Sequence, residues 1–273
     1  MIRILQLTDL HVFAEPGLTL KGIPTRESLQ EVVDWIVDRE DAFDHVIITG
    51  DHTHDERPES YQAVREQLER MDGQRWQVPG NHDDRSVLRT VFPEVNQQIQ
   101  LGAASAEGSI AADSPIRFSF AAGDWHFLGL DTHLPGEVPG LFDDEQQQWL
   151  TQQLRQSAAA RVALFCHHPP IDVGSVWMDK IGLQRSELLQ ALVANDDRIR
   201  FIFCGHVHHD FSGTLHHAAV HATPSTGIQF DPAGDVPHFA PDAPGYRVIQ
   251  LDGTELSHRI VRLPSVRYVP DAE

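Results

Sequence analysis

The chain has 273 residues, 41% of them apolar and 22% charged, ordinary proportions for an α/β protein, and a single domain spanning 1–273 is expected. Its formal charge of −19 excludes a surface for phosphate backbones, which need basic patches, and argues equally against an anionic membrane, so neither nucleic acid nor membrane is expected as a partner. A small anionic substrate stays compatible with that charge, because bound divalent ions reverse it locally.

Residues 2–7 form a short apolar run that reads as a strand starting at once. There is no leader and no apolar stretch long enough to span a membrane, so a cytoplasmic location is expected. Leu29, Val32, Val33 and Ile36 fall at helical spacing within 26–39, with Thr25 as the N-cap. Residues 46–49 read as a second buried strand, and 58–71 as a helix opened by Pro58 in its first turn. Residues 76–78 read as a third strand, leading into Pro79-Gly80. This rhythm predicts a largely parallel sheet. The middle differs. Residues 116–120 and 125–130 are strands separated by Ala-Ala-Gly-Asp, a hairpin signal. A Gln-rich helix is expected over 143–157, then strands at 162–165 and 199–203 with a helix at 186–194 between them. Strands at 220–222, 246–251 and 256–263 suggest an antiparallel finish around Asp252-Gly253. The segment 229–245, rich in Pro, Gly and Asp, reads as a long loop. The expected architecture is a four-layer α/β/β/α sandwich, two mixed sheets packed face to face and flanked by helices.

Five motifs punctuate this pattern, each directly behind an apolar run: Asp9-Leu10-His11, Gly50-Asp51, Gly80-Asn81-His82-Asp83, His167-His168 and Gly205-His206-Val207-His208. Strand ends converge, so these loops can deliver their side chains to one point. Mixed carboxylate, carboxamide and imidazole donors suit Mn, Fe or Zn better than Ca or a thiolate-held metal. Seven candidate ligands, Asp9, His11, Asp51, Asn81, His167, His206 and His208, are too many for one tetrahedral ion. They point to two divalent ions (Fe, Mn, Zn or Co) sharing a bridge, for which Asp51 has two oxygens to offer. If the segment is still extended, Asp9 and His11 point the same way, and His206 and His208 alternate likewise. Cys166 and Cys204 each close an apolar run ahead of a ligand motif and read as buried and reduced, with no disulfide framework.

As an ordered set these motifs resemble the calcineurin-like metallophosphoesterase superfamily, whose pattern is D-x-H, G-D, G-N-H-[DE], H and G-H-x-H; the match covers about residues 3–210. The resemblance implies the α/β/β/α fold and a dinuclear centre. Asp9, His11, Asp51 and His208 would hold one ion, and Asp51, Asn81, His167 and His206 the other. His167 is preferred to His168 because the family's ligand comes immediately after the strand. His82 and Asn81 are the implied catalytic residues, with His82 stabilising the leaving oxygen or protonating it. His11, Asn81, His82 and His208 are the implied substrate contacts. Asp83 either orients a histidine or caps a helix at 84–91.

Finer features resemble the bacterial class III cyclic-nucleotide phosphodiesterases, the 3′,5′-cyclic-AMP phosphodiesterases of the CpdA type: Tyr61-Gln62, Gly174-Ser175-Val176-Trp177-Met178-Asp179, Ala222-Thr223-Pro224-Ser225-Thr226, Gln229-Phe230 and Pro244-Gly245-Tyr246-Arg247. This implies hydrolysis of cyclic AMP to 5′-AMP by hydroxide that the two ions supply. The acting species is a monomer or homodimer, with 229–245 and Arg267-Tyr268-Val269 as a candidate dimer contact. Alternatives are other small diesters, such as 2′,3′-cyclic nucleotides or glycerophosphodiesters, and a binding scaffold on the same fold; the scaffold reading expects missing ligands, and none is missing. One departure is His52-Thr53-His54, where relatives carry an apolar residue and then small or polar ones. His52 either packs beside the site or lends an extra ligand. Trp177 and the loop 223–229 either belong to the core or line a nucleoside pocket.

Overall fold

Short runs of Ile, Val, Leu and Phe, buried on both faces in the central strands, make the sheets, and the segments between them make the helices. The structure, a computed structural model, describes residues 1–97 and 111–271. The first part runs β1 (Ile2–Leu7), α1 (Thr25–Arg39), β2 (His45–Thr49), α2 (Pro58–Leu68), β3 (Gln74–Val78) and α3 (Arg85–Val91). The middle contains β4 (Phe118–Ala122), β5 (Trp125–Leu130), β6 (Gly140–Leu141), α4 (Asp144–Gln156), β7 (Arg161–Cys166), β8 (Leu183–Gln184), α5 (Ser186–Asn195) and β9 (Ile199–Cys204). The chain finishes with β10 (Phe211–Leu215), β11 (Ala218–Ala222), β12 (Gln229–Asp231), β13 (His238–Ala240), β14 (Gly245–Asp252) and β15 (Glu255–Arg262).

One sheet has the order β15-β14-β1-β2-β3 and the other β10-β11-β9-β7-β5-β4, both mixed. Alternation along β1 shows how the layers arise. Ile4 points between the sheets, into a core with Ile47, Trp76, Phe120, Phe127, Phe165 and Phe203. Leu5 and Leu7 point the other way, against Leu29, Val32, Val33 and Ile36 of α1 and Tyr61 and Val64 of α2. On the far side, Leu128, Leu130 and Leu164 meet Leu150 and Leu154 of α4 and Leu189 and Val193 of α5. Four layers follow, as the sequence leads one to expect.

Several local expectations are corrected. Thr25 is not a cap: it is the first helical residue of α1, behind Pro24, and its hydroxyl donates to the carbonyl of His11 at 2.6 Å. The second helix stops at Leu68 rather than 71. Ala121 and Ala122 stay in β4, leaving Gly123-Asp124 as a two-residue turn with Gly123 at φ +58°. β10, whose Gly213 and alternating exposure gave no apolar signal, pairs antiparallel with β11, while β11 runs parallel to β9. The supposed loop 229–245 contains the β12–β13 ribbon. Among the described residues no helix is long and apolar enough to cross a membrane.

Candidate metal centre

β1, β2, β3, β7 and β9 all end on the same side, and each hands its chain to one of the five motifs. The loops turn abruptly there. Asp9, His11, Asp51, His206 and His208 have φ of +54°, +47°, +52°, +71° and +53°, so five of the seven expected ligands adopt left-handed backbone. Such positions cost about 1–3 kcal/mol each and persist only where surroundings over-determine them. Here Asp9 N–H donates to Gly50 O at 3.1 Å, and Leu10 and His11 N–H donate to Asp51 O at 2.8 and 3.0 Å. The expectation that Asp9 and His11, or His206 and His208, align by strand alternation therefore fails. Tight turns do the aiming instead.

The side chains form two linked groups. Asp9, His11, Asp51 and His208 each offer an atom within 4.8 Å of the others'. His208 Nε2 is 3.1 Å from His11 Nε2 and 3.2 Å from Asp9 Oδ1. In the second group, Asn81 Oδ1 is 3.2 Å from His167 Nε2 and 3.1 Å from His206 Nδ1. Asp51 joins them: its Oδ2 is 3.4 Å from both His11 Nε2 and His167 Nε2. Its Oδ1 is already occupied, accepting from His82 N–H at 2.8 Å. Asp51 Oδ2 is thus the oxygen that would lie nearest both groups if two ions were held here.

Backbone carbonyls set the tautomers. His167 Nδ1 faces Thr49 O at 2.8 Å, His208 Nδ1 faces Ile228 O at 2.8 Å, and His206 Nε2 faces Ile181 O at 3.0 Å. A carbonyl only accepts, so each of these nitrogens carries a hydrogen, and the opposite nitrogen is the one that can turn a lone pair to the centre when it is unprotonated. Burial lowers His11 well below the usual imidazole range, against the pull of Asp51, and pushes His206 down to about 3, helped by the His167 charge. Both are therefore neutral donors. His167 is the exception: burial opposes its charge, but Asp51 and Asp9 outweigh it and raise it to about 10. Asp51 is held well below the carboxylate range, burial being overcome by His167 and His11. Lone pairs and carboxylate oxygens at two adjoining points, with one shared oxygen, fit two divalent ions.

Contacts of nearby residues bear on the open alternatives. Both ring nitrogens of His168 are engaged elsewhere, with the Thr132 hydroxyl at 2.8 Å and Val138 O at 3.0 Å. His52 is fully buried and faces away from the centre, its Nδ1 3.0 Å from Asp83 Oδ2 and its Nε2 2.9 Å from Gln77 Oε1. It packs beside the site and is no extra ligand. Asp83 orients that histidine and also accepts from Gly80 N–H at 2.9 Å and Tyr61 OH at 3.0 Å, which fixes the Asn81–His82 loop. The helix cap is the next residue: Asp84 accepts from Ser86 and Val87 N–H. Cys166 and Cys204 are buried and free, with their sulfurs 3.5 Å apart.

His54 was legible only as part of an unusual triplet. Its Nδ1 lies 3.3 Å from His11 Nδ1, and its ring stacks on His82 at 4.6 Å and 24°. Burial and His82 lower it to about 4, so it is neutral and could accept the His11 Nδ1 hydrogen if His11 Nε2 were turned to an ion. The centre opens into a cavity of about 770 Å³, a size suited to a small organic ligand, with His11, Asn81, His82 and His208 in its wall. Trp177 packs in the core and also borders this cavity.

The calcineurin-like phosphoesterase family model matches residues 2–210. The chain is 31% identical to the 3′,5′-cyclic adenosine monophosphate phosphodiesterase CpdA of Vibrio vulnificus (strain CMCP6), over 99% of this chain and 93% of that one. It is 29% identical to a 3′,5′-cyclic-nucleotide phosphodiesterase of Nostoc sp., over 96% and 93%. In fold it resembles a dimetal phosphatase from Danio rerio, with a TM-score of 0.68, 15% identity and 95% of each chain covered. Strand-end motifs in this order, folded on these two sheets and matched over most of the chain, make it a member of the calcineurin-like phosphoesterases.

Proposed function

We propose that the chain hydrolyses 3′,5′-cyclic AMP to 5′-AMP at a dinuclear centre, in the cytoplasm, with 1–273 acting as one domain and the enzyme a monomer or homodimer. The observation that carries this reading is the single Asp51 oxygen standing 3.4 Å from an imidazole of each ligand group, at the floor of a cavity large enough for a nucleotide. Asp9, His11, Asp51 and His208 would hold one ion, and Asp51, Asn81, His167 and His206 the other. Iron and manganese suit these donors, with Zn and Co compatible and availability deciding. When bound, the two ions supply water ionised at neutral pH and counter-charge for the phosphoryl oxygens.

The chain's own residues do the rest. His11, Asn81, His82 and His208 line the cavity and would bracket the phosphate. Attack in line forms a bond from phosphorus to the water oxygen and breaks the bond to O3′, which needs a proton. His82 stands beside the centre, its backbone anchored on Asp51 Oδ1 at 2.8 Å and its ring stacked on His54. In this reading it would give O3′ that proton, while the Asn81 amide N–H would steady a phosphoryl oxygen. Cyclic AMP as substrate draws support from the names of the relatives similar over nearly the whole chain.

The test is release of 5′-AMP from 3′,5′-cyclic AMP by Mn- or Fe-loaded protein, with Asn81→Ala as control. Turnover by the wild type alone supports the reading. Turnover of a generic aryl phosphodiester without cyclic AMP would keep the chemistry and discard the substrate; 2′,3′-cyclic nucleotides and glycerophosphodiesters belong in the same panel.

A further inference from the structure

The cavity has a second half that phosphate chemistry leaves unused. Phe230, Phe239, Ile181, Ile228 and Trp177 form its wall, with Lys21 Nζ over one side of the Phe239 ring at 5.9 Å. Phe230 and Phe239 stand directly opposite each other on β12 and β13, in a ribbon whose backbone ladder joins neither main sheet. Two three-residue strands are not stable alone, so the ribbon depends on what fixes it to the body. Gln229 Nε2 donates to Ser225 O and Gly227 O at 2.8 and 3.0 Å, and Arg262 donates to Gln229 Oε1 at 3.0 Å. Phe230 then lies flat on the His208 ring, 3.9 Å away and 5° from parallel, with Trp177 edge-on at 5.3 Å. The ribbon is therefore pinned to a proposed ligand, and Phe239 is carried with it, its ring 5.7 Å from Phe230 and partly exposed.

A partly exposed aromatic wall one ring away from a metal ligand leaves an apolar, π-faced space at a fixed distance from the phosphate. We infer that Phe239, backed by Phe230, is the surface on which the organic group of the diester stacks, making the β12–β13 ribbon the specificity element of the site. This rests on the proposed function, under which that group is the adenine base. The wall offers faces, with few hydrogen-bonding edges, so it selects aromatic over aliphatic esters far more than adenine over guanine. Base–aromatic stacking is tolerant in that way.

The test uses the full, metal-loaded chain with Phe239→Ala, Phe239→Leu and Phe239→Trp. Substrates are 3′,5′-cyclic AMP and the aliphatic diester glycerophosphoethanolamine, and adenosine binding to the same proteins is followed by calorimetry. Phe239→Ala is expected to raise KM for cyclic AMP about tenfold with kcat nearly unchanged, the pattern of lost binding common to ground and transition states. Adenosine affinity should fall about as far, turnover of the aliphatic diester should not change, and Phe239→Trp should restore both. Phe239→Leu keeps the apolar volume and should behave like Ala, which covers a poorly folded Ala variant. Unchanged KM and adenosine affinity in a wild type that hydrolyses cyclic AMP would overturn the stacking role alone, as would an equal loss on both diesters. A wild type that hydrolyses only the aliphatic diester would overturn the role and the proposed substrate together.

Discussion

At His11 the geometry decides where a proton sits. With Nε2 turned to the centre, Nδ1 must carry the hydrogen, and the acceptor 3.3 Å away is His54. Partners of this kind hold a ligand's tautomer and orientation, and their loss typically costs 10- to 100-fold in metal affinity. His54→Ala is therefore expected to shorten metal retention against a chelator by about that factor. Intact retention would show that His11 needs no such partner. His82 makes the opposite case: it faces the cavity and joins neither ligand group. His82→Ala should lower turnover about 10²- to 10⁴-fold and leave metal content unchanged; an emptied site would make it a ligand. The ligands were legible in the sequence because each follows an apolar run that has to end. The partners that set their tautomers, the carbonyls of Thr49, Ile181 and Ile228, were not, because any residue supplies a carbonyl.

At the scale of elements, the ends of the strands are packed as tightly as the core. A Cβ added at Gly50, which sits at φ +97°, would meet Gly80 N and His167 Nδ1, each at 2.6 Å. Gly50→Ala should destabilise the fold by roughly 2 kcal/mol or more, read by denaturant titration, since both backbone conformation and space forbid it. The C-terminus of α1 is tied to the sheet by Glu40, which accepts from Arg3 at 2.7 Å, Arg259 at 2.8 Å and Tyr246 OH at 3.2 Å. Burial works against the Glu40 charge, but these donors prevail and lower its pKa from the usual 4.5. A depressed carboxylate contributes stability that is present above pH 4.5 and lost as pH falls through the lower folded value. Glu40→Gln should flatten the acid limb of the stability profile and cost about 1 kcal/mol at neutral pH, the pair being only partly shielded from solvent. An unchanged acid limb would remove Glu40 from the account. The strong periodic elements were readable; the β12–β13 ribbon was not, because three-residue strands flanking a Pro- and Gly-rich tip carry no periodicity.

For the whole molecule, two sheets sharing an aromatic core bring five distant loops to one rim, and that rim collects buried charge. Before any ion binds, the proton held by His167 up to about pH 10 offsets Asp51 and Asp9. Loading must displace it, so affinity should rise with pH across the neutral range, with protons released on loading in calorimetry. At this rim Asp51 would join the two ions, its Oδ2 standing 3.4 Å from an imidazole of each group. The most direct measurement is metal content together with the EPR spectrum of Mn(II)-loaded protein, wild type against Asp51→Asn. Two ions per chain with an exchange-coupled spectrum, uncoupled or reduced to one ion in the variant, is the result expected of a bridged pair roughly 3.5–4 Å apart. One ion per chain in the wild type, or two that show only isolated-ion signals, would contradict it.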